Sequence, residues 1–181
     1  PRSTLFPYTT LFRSSTDMYV VGSRIGEKLN GQIANAVMQI TADPVTIAVC
    51  LNKQNYTSEC LDDSGSFSVS VLEDDVPMTF IGQFGFKTGR EIDKFANVDY
   101  VTGELDVPIV KDWSLSGFEA KVIDRIDVHT HILFVGRVVS AEKFKEGTPL
   151  TYANYHLVKK GKSPKTAPTY AFNALSEKPK G

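Results

Sequence analysis

The sequence predicts a mainly β fold, a barrel or sandwich carrying a few short helices. Three observations carry that prediction: apolar residues recur at every second position in short runs, turn residues separate the runs, and segments with helical periodicity are few. The clearest run is Ser66-Phe67-Ser68-Val69-Ser70-Val71-Leu72. Its alternation places Phe67, Val69 and Val71 on one face, as a strand with that face in a core requires.

Further strands are expected over Met18 to Gly22, Gln32 to Thr41 and Val45 to Leu51. Two long runs, Phe118 to Ile126 and Thr130 to Ala141, are joined around Asp127, Val128 and His129 and read as a hairpin. Leu150 to Tyr152 completes a set of seven runs, enough to close a barrel or fill a sandwich. Helices are expected over Tyr56 to Asp62, after a polar cap, and over Val76 to Gln83. Pro77 falls in the first turn of the latter, where its missing N–H is no loss. A short turn is expected at Glu91 to Phe95, and no internal repeat is present.

The opening stretch, residues 1–14, stands apart. Thr4-Leu-Phe-Pro-Tyr-Thr-Thr-Leu-Phe-Arg-Ser14 resembles the translation of a short-read sequencing adapter, and it has neither the basic segment nor the cleavage site of a secretory signal. An artefact of that origin would put the authentic start near Ser15. Residues 15–158 then form one domain, and residues 159–181, rich in Lys, Pro, Ser and Thr, form an extended tail that needs a surface to lie on.

Composition narrows the function. The chain carries 20 Lys+Arg against 21 Asp+Glu, a net charge of -1 that becomes -3 without Arg2 and Arg13. No basic face is concentrated enough for nucleic acid. The absence of a long apolar run points to a soluble, cytoplasmic chain without membrane partners. The two cysteines, Cys50 and Cys60, fit a reducing compartment.

Side-chain catalysis finds little support. Ser, His and Asp occur without a nucleophile-elbow pattern. Gly161-Lys162-Ser163 imitates the end of a phosphate-binding loop, but His156 stands where its first glycine is required and Pro164 opposes the following helix. His129 and His131, read as alternating on a strand with His156 as a third imidazole, lack the carboxylate or cysteine of a zinc site. No metal is expected.

Three runs are more informative. Asn30-Gly-Gln-Ile-Ala-Asn-Ala-Val-Met-Gln-Ile-Thr41 is loaded with amides. These suit either a solvated edge strand or the edge of a flavin ring, which needs donors and acceptors together. Cys50-Leu-Asn-Lys-Gln-Asn-Tyr-Thr57 spans a strand end and a helix start, a place where N–H groups stabilise a phosphate, with Lys53 as counter-ion and Thr57 as donor. Phe84-Gly-Phe-Lys-Thr-Gly-Arg90 combines glycines, a hydroxyl and two cations, as a loop closing on an anion does and as many solvent loops also do.

These runs, in this order and followed by Asp93-Lys94-Phe95, Thr130-His131-Ile132-Leu133-Phe134-Val135-Gly136 and Pro149-Leu150-Thr151-Tyr152, resemble the flavin-reductase-like FMN-binding domain from Met18 to Tyr170. The nearest resemblance is to the flavin domain of high-molecular-weight rubredoxins and their stand-alone relatives in anaerobic bacteria. It implies an FMN-binding split β-barrel, a homodimer with FMN near the interface, and oxidoreductase activity. Electrons would come from NADH, NADPH or a reduced carrier and pass through the flavin to an acceptor such as rubredoxin. The alternative is an electron-transfer module that serves protein partners alone. By position, Ala34, Asn35 and Ala36 would line the ring edge with Gln39 and Thr41 nearby, and Cys50, Leu51 and Asn52 would follow the ring and ribityl chain. Lys53 and Thr57 would hold phosphate under a loop of Lys87, Thr88, Gly89 and Arg90. His131 is an accessory candidate, with Thr130 standing where many relatives have Asp. No side chain is expected to act as catalytic acid or base.

Overall fold

The computed structural model describes residues 17–162 and 164–166. The expected adapter segment and most of the C-terminal tail lie outside the described residues. Among the described residues, nine strands and three helices follow in chain order. These are β1 (Tyr19–Ile25), β2 (Lys28–Ala34), β3 (Val37–Ala42), β4 (Val45–Asn52), α1 (Tyr56–Ser64), β5 (Ser66–Leu72), α2 (Met78–Gly85), β6 (Tyr100–Thr102), β7 (Pro108–Val110), β8 (Ser114–Val128), β9 (His131–Lys143) and α3 (Tyr152–Leu157).

Seven strands form one antiparallel sheet in the order β2-β1-β5-β8-β9-β4-β3, and β6 pairs with β7 as a separate ribbon. The two outermost strands, β2 and β3, are consecutive in sequence and joined only by Asn35 and Ala36. So short a link between opposite edges requires the sheet to curl until its edges meet, which makes a barrel with a seam. The run expected as one strand over Gln32 to Thr41 is therefore two, broken where the chain crosses that seam. Ala36 is held on the far side by the Cys50 N–H, which donates to its carbonyl at 2.9 Å.

Turn chemistry fixes the register. Gly26, at φ 55°, makes the tight link between β1 and β2, a conformation that only glycine adopts freely. His129, at φ 53°, sits in the turn of the β8–β9 hairpin. It is therefore not on a strand with His131, contrary to the alternation read from sequence.

The barrel interior is filled by Tyr19, Val21, Ile47, Val49, Phe67 and Phe134, among others. A second core lies outside the sheet, where Met18, Val20 and Leu72 meet Ile81, Phe84 and Phe95 under α2. β5 is buried on both faces. Its serine face, which alternation alone would leave to solvent, is covered by β7: the Val110 N–H donates to Ser70 Oγ at 2.9 Å, and Ser68 Oγ donates to the Pro108 carbonyl. These bonds satisfy polar groups that would otherwise be costly to bury.

The remaining elements differ from expectation at their ends. Leu150 to Tyr152 is not a strand. Pro149 and Thr151 make single bridges to Glu73 and Asp17, and Thr151 caps α3 by accepting from the Asn154 N–H at 3.0 Å. β6 and β7, three residues each, were not anticipated.

Candidate functional site

The cavity lies at the seam. It encloses about 350 Å³, within the range of about 300–1,000 Å³ usual for small-molecule sites. One wall is the crossing itself, Ala34, Asn35 and Ala36, and another is the end of β4, Cys50, Leu51 and Asn52. The first turn of α1 contributes Tyr56 and Thr57, and the loop after α2 contributes Lys87, Thr88 and Gly89. A third side is closed by Tyr152 and Tyr155 of α3 and by Lys162, Pro164 and Lys165.

Ten of the fourteen residues expected from sequence line this cavity. The exceptions are Gln39, Thr41, Lys53 and Arg90, each bound elsewhere. Gln39 Nε2 donates to the Thr41 carbonyl at 3.1 Å and Thr41 Oγ1 to the Pro44 carbonyl at 2.5 Å, both on the exposed end of the β3 edge. Lys53 Nζ donates to Asp127 Oδ2 at 2.5 Å across the β8–β9 turn. That bond holds the Asp127 carboxyl below its usual range. Arg90 pairs with Glu59 and lies 4.7 Å from the Tyr56 ring centroid, bracing the loop against α1. His131 is also absent from the cavity wall, and its Nδ1 shares a 2.8 Å hydrogen bond with Thr130 Oγ1.

Sequence reasoning missed three polar groups on the wall. Asn30 and Gln32 both line the cavity, and Asn30 Oδ1 and Gln32 Oε1 are buried without partners. Asn30 Nδ2 donates to Thr57 Oγ1 at 2.8 Å, tying β2 to the start of α1. The third is Lys94, whose Nζ donates to the Gly31 and Phe84 carbonyls at 2.8 and 3.1 Å. Burial lowers its ammonium to about 8. All three belong to runs singled out in the sequence, but alternation said nothing of which side chains would turn inward across the seam.

No carboxylate lines the cavity among the described residues, whereas Lys87, Lys94, Lys162 and Lys165 do. With the N-terminus of α1 adding partial positive charge, the site favours an anion. Burial raises the Cys50 thiol, and the thiol of Cys60, buried on α1, is pushed up to about 11 by burial and then by Glu59. Neither is a thiolate near neutrality. No group of three His, Cys, Asp or Glu side chains among the described residues is placed to hold a metal.

Known proteins with the same pattern share this architecture. The chain matches the flavin reductase like domain over residues 11–161. It is 50% identical over 159 residues to a ferric-chelate reductase (NAD(P)H) of Archaeoglobus fulgidus, covering 88% of this chain and 94% of that one. It is 46% identical over 161 residues to a high molecular weight rubredoxin of Moorella thermoacetica, covering 89% of this chain and 70% of that one. Among solved structures, an FMN-binding protein from Thermus thermophilus superposes with a TM-score of 0.64 at 27% identity, over 71% of each chain. Flavoredoxin from Methanosarcina acetivorans does so at 0.67 and 26% identity, over 74% of each.

Proposed function

The chain belongs to the family of flavin reductase-like domains, and from that premise we propose that it is an FMN-dependent oxidoreductase taking electrons from NAD(P)H and delivering them to an acceptor. The observation that carries this reading is the seam cavity, which is walled by amides and lysines, free of carboxylates among the described residues, and closed at one end by the start of α1. The unpartnered Asn30 Oδ1 and Gln32 Oε1 fit a bound molecule that brings its own donors.

FMN would supply the hydride and electron chemistry when bound, and the chain binds, orients and shields it. Ala34, Asn35 and Ala36, with Cys50, Leu51 and Asn52, form the walls on which a flat ring would rest. Thr57 and the Lys87 to Gly89 loop sit at the polar end, where a terminal phosphate would be received. Tyr152 and the segment around Pro164 exclude water from a third side.

The relation to a high molecular weight rubredoxin supports a redox protein as the acceptor. The ferric-chelate reductase supports a ferric chelate equally well. A homodimer is supported by apolar side chains left exposed on the β3 edge, Met38 and Ile40, and on β8, Ile123, Ile126 and Val128. Apolar side chains that form one contiguous exposed patch mark an interaction site. Free Cys50 and Cys60 favour a reducing, cytoplasmic setting. No helix among the described residues is long and apolar enough to cross a membrane.

Anaerobic stopped-flow tests the reading. The FMN-loaded protein is mixed with NADH or NADPH, the loss of flavin absorbance is followed, and the reduced protein is then mixed with a ferric chelate or with rubredoxin. Reduction by a nicotinamide and reoxidation faster than that of free reduced FMN are expected. Failure of both nicotinamides with rapid exchange to rubredoxin would replace the enzyme with a protein-to-protein carrier.

A further inference from the structure

We infer that Lys162 and Lys165, on the segment that follows α3, make this chain prefer NADPH to NADH as its electron donor. This rests on the nicotinamide reading above and names what selects between the two donors. Both lysines line the seam cavity and both are exposed, so they stand at its mouth.

The charge there is unbalanced. From Gly147 to Ser176 the sequence holds Lys159, Lys160, Lys162 and Lys165 and no Asp or Glu, in a chain whose net charge is -1. Elsewhere on the surface Lys53, Lys111, Lys143 and Lys145 each meet a carboxylate. Lys162 and Lys165 enter no ion pair among the described residues. Two unmatched cations at the mouth of a cleft focus a positive field on whatever enters it.

The backbone that carries them is fastened. Tyr155 Oη donates to the Lys162 carbonyl at 2.8 Å, and Asn52 Nδ2 donates to the Thr166 carbonyl at 3.4 Å. Asn52 belongs to the wall on which the flavin ring would rest, so Lys165 stands one residue from a bond to that wall. The single phosphate of FMN is already provided for by Thr57 and the Lys87 to Gly89 loop. The two lysines are therefore left for a second anion, and the nicotinamide dinucleotide that comes to the ring is one.

A site that selects NADH sets a carboxylate on the ribose 2′-hydroxyl, and the same carboxylate repels the 2′-phosphate of NADPH. No carboxylate lines this cavity among the described residues. The 2′-phosphate adds about two negative charges near neutral pH. The field of the lysine pair therefore favours NADPH.

The test uses the FMN-loaded chain and a Lys162→Gln/Lys165→Gln double variant, which keeps the backbone carbonyl that Tyr155 binds. Each is mixed anaerobically with rising NADH or NADPH, and the dissociation constant and limiting rate of flavin bleaching are read separately. NADP⁺ and NAD⁺ titrated calorimetrically into the oxidised proteins give the same comparison without turnover. The unaltered chain should bind the phosphorylated nucleotide about tenfold more tightly, an advantage that shrinks in about 0.5 M salt. In the variant NADPH should weaken about tenfold and NADH by no more than about twofold, with limiting rates unchanged.

Equal affinity of the unaltered chain for the two nucleotides, or equal losses in the variant, overturns the inference. So does a variant that keeps its preference for NADPH but is reoxidised more slowly by ferric citrate, which would assign the cations to the acceptor. If the variant does not retain FMN, the salt series on the unaltered chain decides, and an NADPH advantage that salt leaves intact overturns the inference. Bleaching by neither nucleotide would instead refute the nicotinamide reading itself, and that outcome is seen in the unaltered chain before the variant is compared.

Discussion

Gly89 lies so close to Asn30 that a Cβ built on it would overlap Asn30 Oδ1 and stand 2.8 Å from Asn30 Cγ and 3.2 Å from Tyr56 Cδ1. Asn30 is 1% exposed and tied to Thr57, so it has little room to yield. The glycine is there because the loop has to press its backbone onto the polar end of the cavity. Gly89→Ala should lift the loop away, with overpacking of about 1–3 kcal/mol shared between stability and loop position. Fluorescence titration should show FMN affinity reduced by about tenfold. An unchanged dissociation constant would mean that the loop plays no part in holding the ligand.

Much of this architecture was legible from alternation. Ser66 to Leu72 matches β5 to the residue, and the β8–β9 hairpin exists as expected but turns at His129 and Thr130, with Asp127 and Val128 still paired in β8. What alternation does not report is closure. Asn35 and Ala36 look like strand interior, and only the meeting of the β2 and β3 edges turns them into a cavity wall. The same limit explains the serine face of β5, polar in sequence but buried through bonds to β7. It explains Lys53 as well: a lysine beside a helix start is a reasonable phosphate ligand until the β8–β9 turn brings Asp127 to it. Lys94 belongs to one of the runs that carry the resemblance, and its burial depends on the Gly31 carbonyl of β2, far away in sequence, and on the Phe84 carbonyl of α2.

Lys53→Ala should accordingly leave FMN affinity within about twofold and stability nearly unchanged, since exposed ion pairs contribute about 0–1 kcal/mol. Isothermal titration checks it. A loss approaching tenfold would return Lys53 to the phosphate site.

Lys94 also predicts a pH dependence of the flavin-free protein. Its ammonium is lowered from 10.5 in the open chain to about 8 when folded, chiefly by burial. Between those values the unfolded state binds more protons, so this group makes stability rise with pH in that window. The Cys60 thiol, raised from 9.0 to about 11 by burial, acts oppositely: it favours the folded state below 9 and loses that contribution as pH rises toward 11. Subtracting the Lys94→Met curve cancels most of the Cys60 effect. Urea melts should show the unaltered chain gaining on the variant from about pH 8 upward, and parallel curves would show that burial leaves the Lys94 ammonium at its open-chain value.

Cys50 and His131 should prove dispensable for chemistry. The Cys50 thiol is raised by burial and stays protonated at neutral pH, and His131 does not line the cavity. Cys50→Ser and His131→Asn should change the rate of flavin reduction by less than about tenfold, below the 10²–10⁴ typical of a general acid or base. A collapse in either variant with normal FMN content would make that side chain catalytic.

The last prediction concerns the third side of the cavity. Tyr155 is buried, and its hydroxyl donates to the Lys162 carbonyl at 2.8 Å while the Gly161 N–H donates to the Tyr155 carbonyl at 2.9 Å. His156 Nδ1 lies 2.9 Å from the Gly161 carbonyl, and Asn52 Nδ2 reaches the Thr166 carbonyl at 3.4 Å. The chain after α3 is thereby fastened across the cavity from α3 to the end of β4, and Lys162, Pro164 and Lys165 line what it covers. Removing residues 161–181 takes away this wall but none of the barrel strands, so the melting temperature of the flavin-free protein should change by only a few degrees, as about 1 kcal/mol does in a domain of this size. The lost contacts serve the bound state, so the effect should fall on dissociation. Stopped-flow displacement of FMN by excess riboflavin should show release accelerated by about tenfold or more. An unchanged release rate would show that the segment lies over the cavity without retaining its contents.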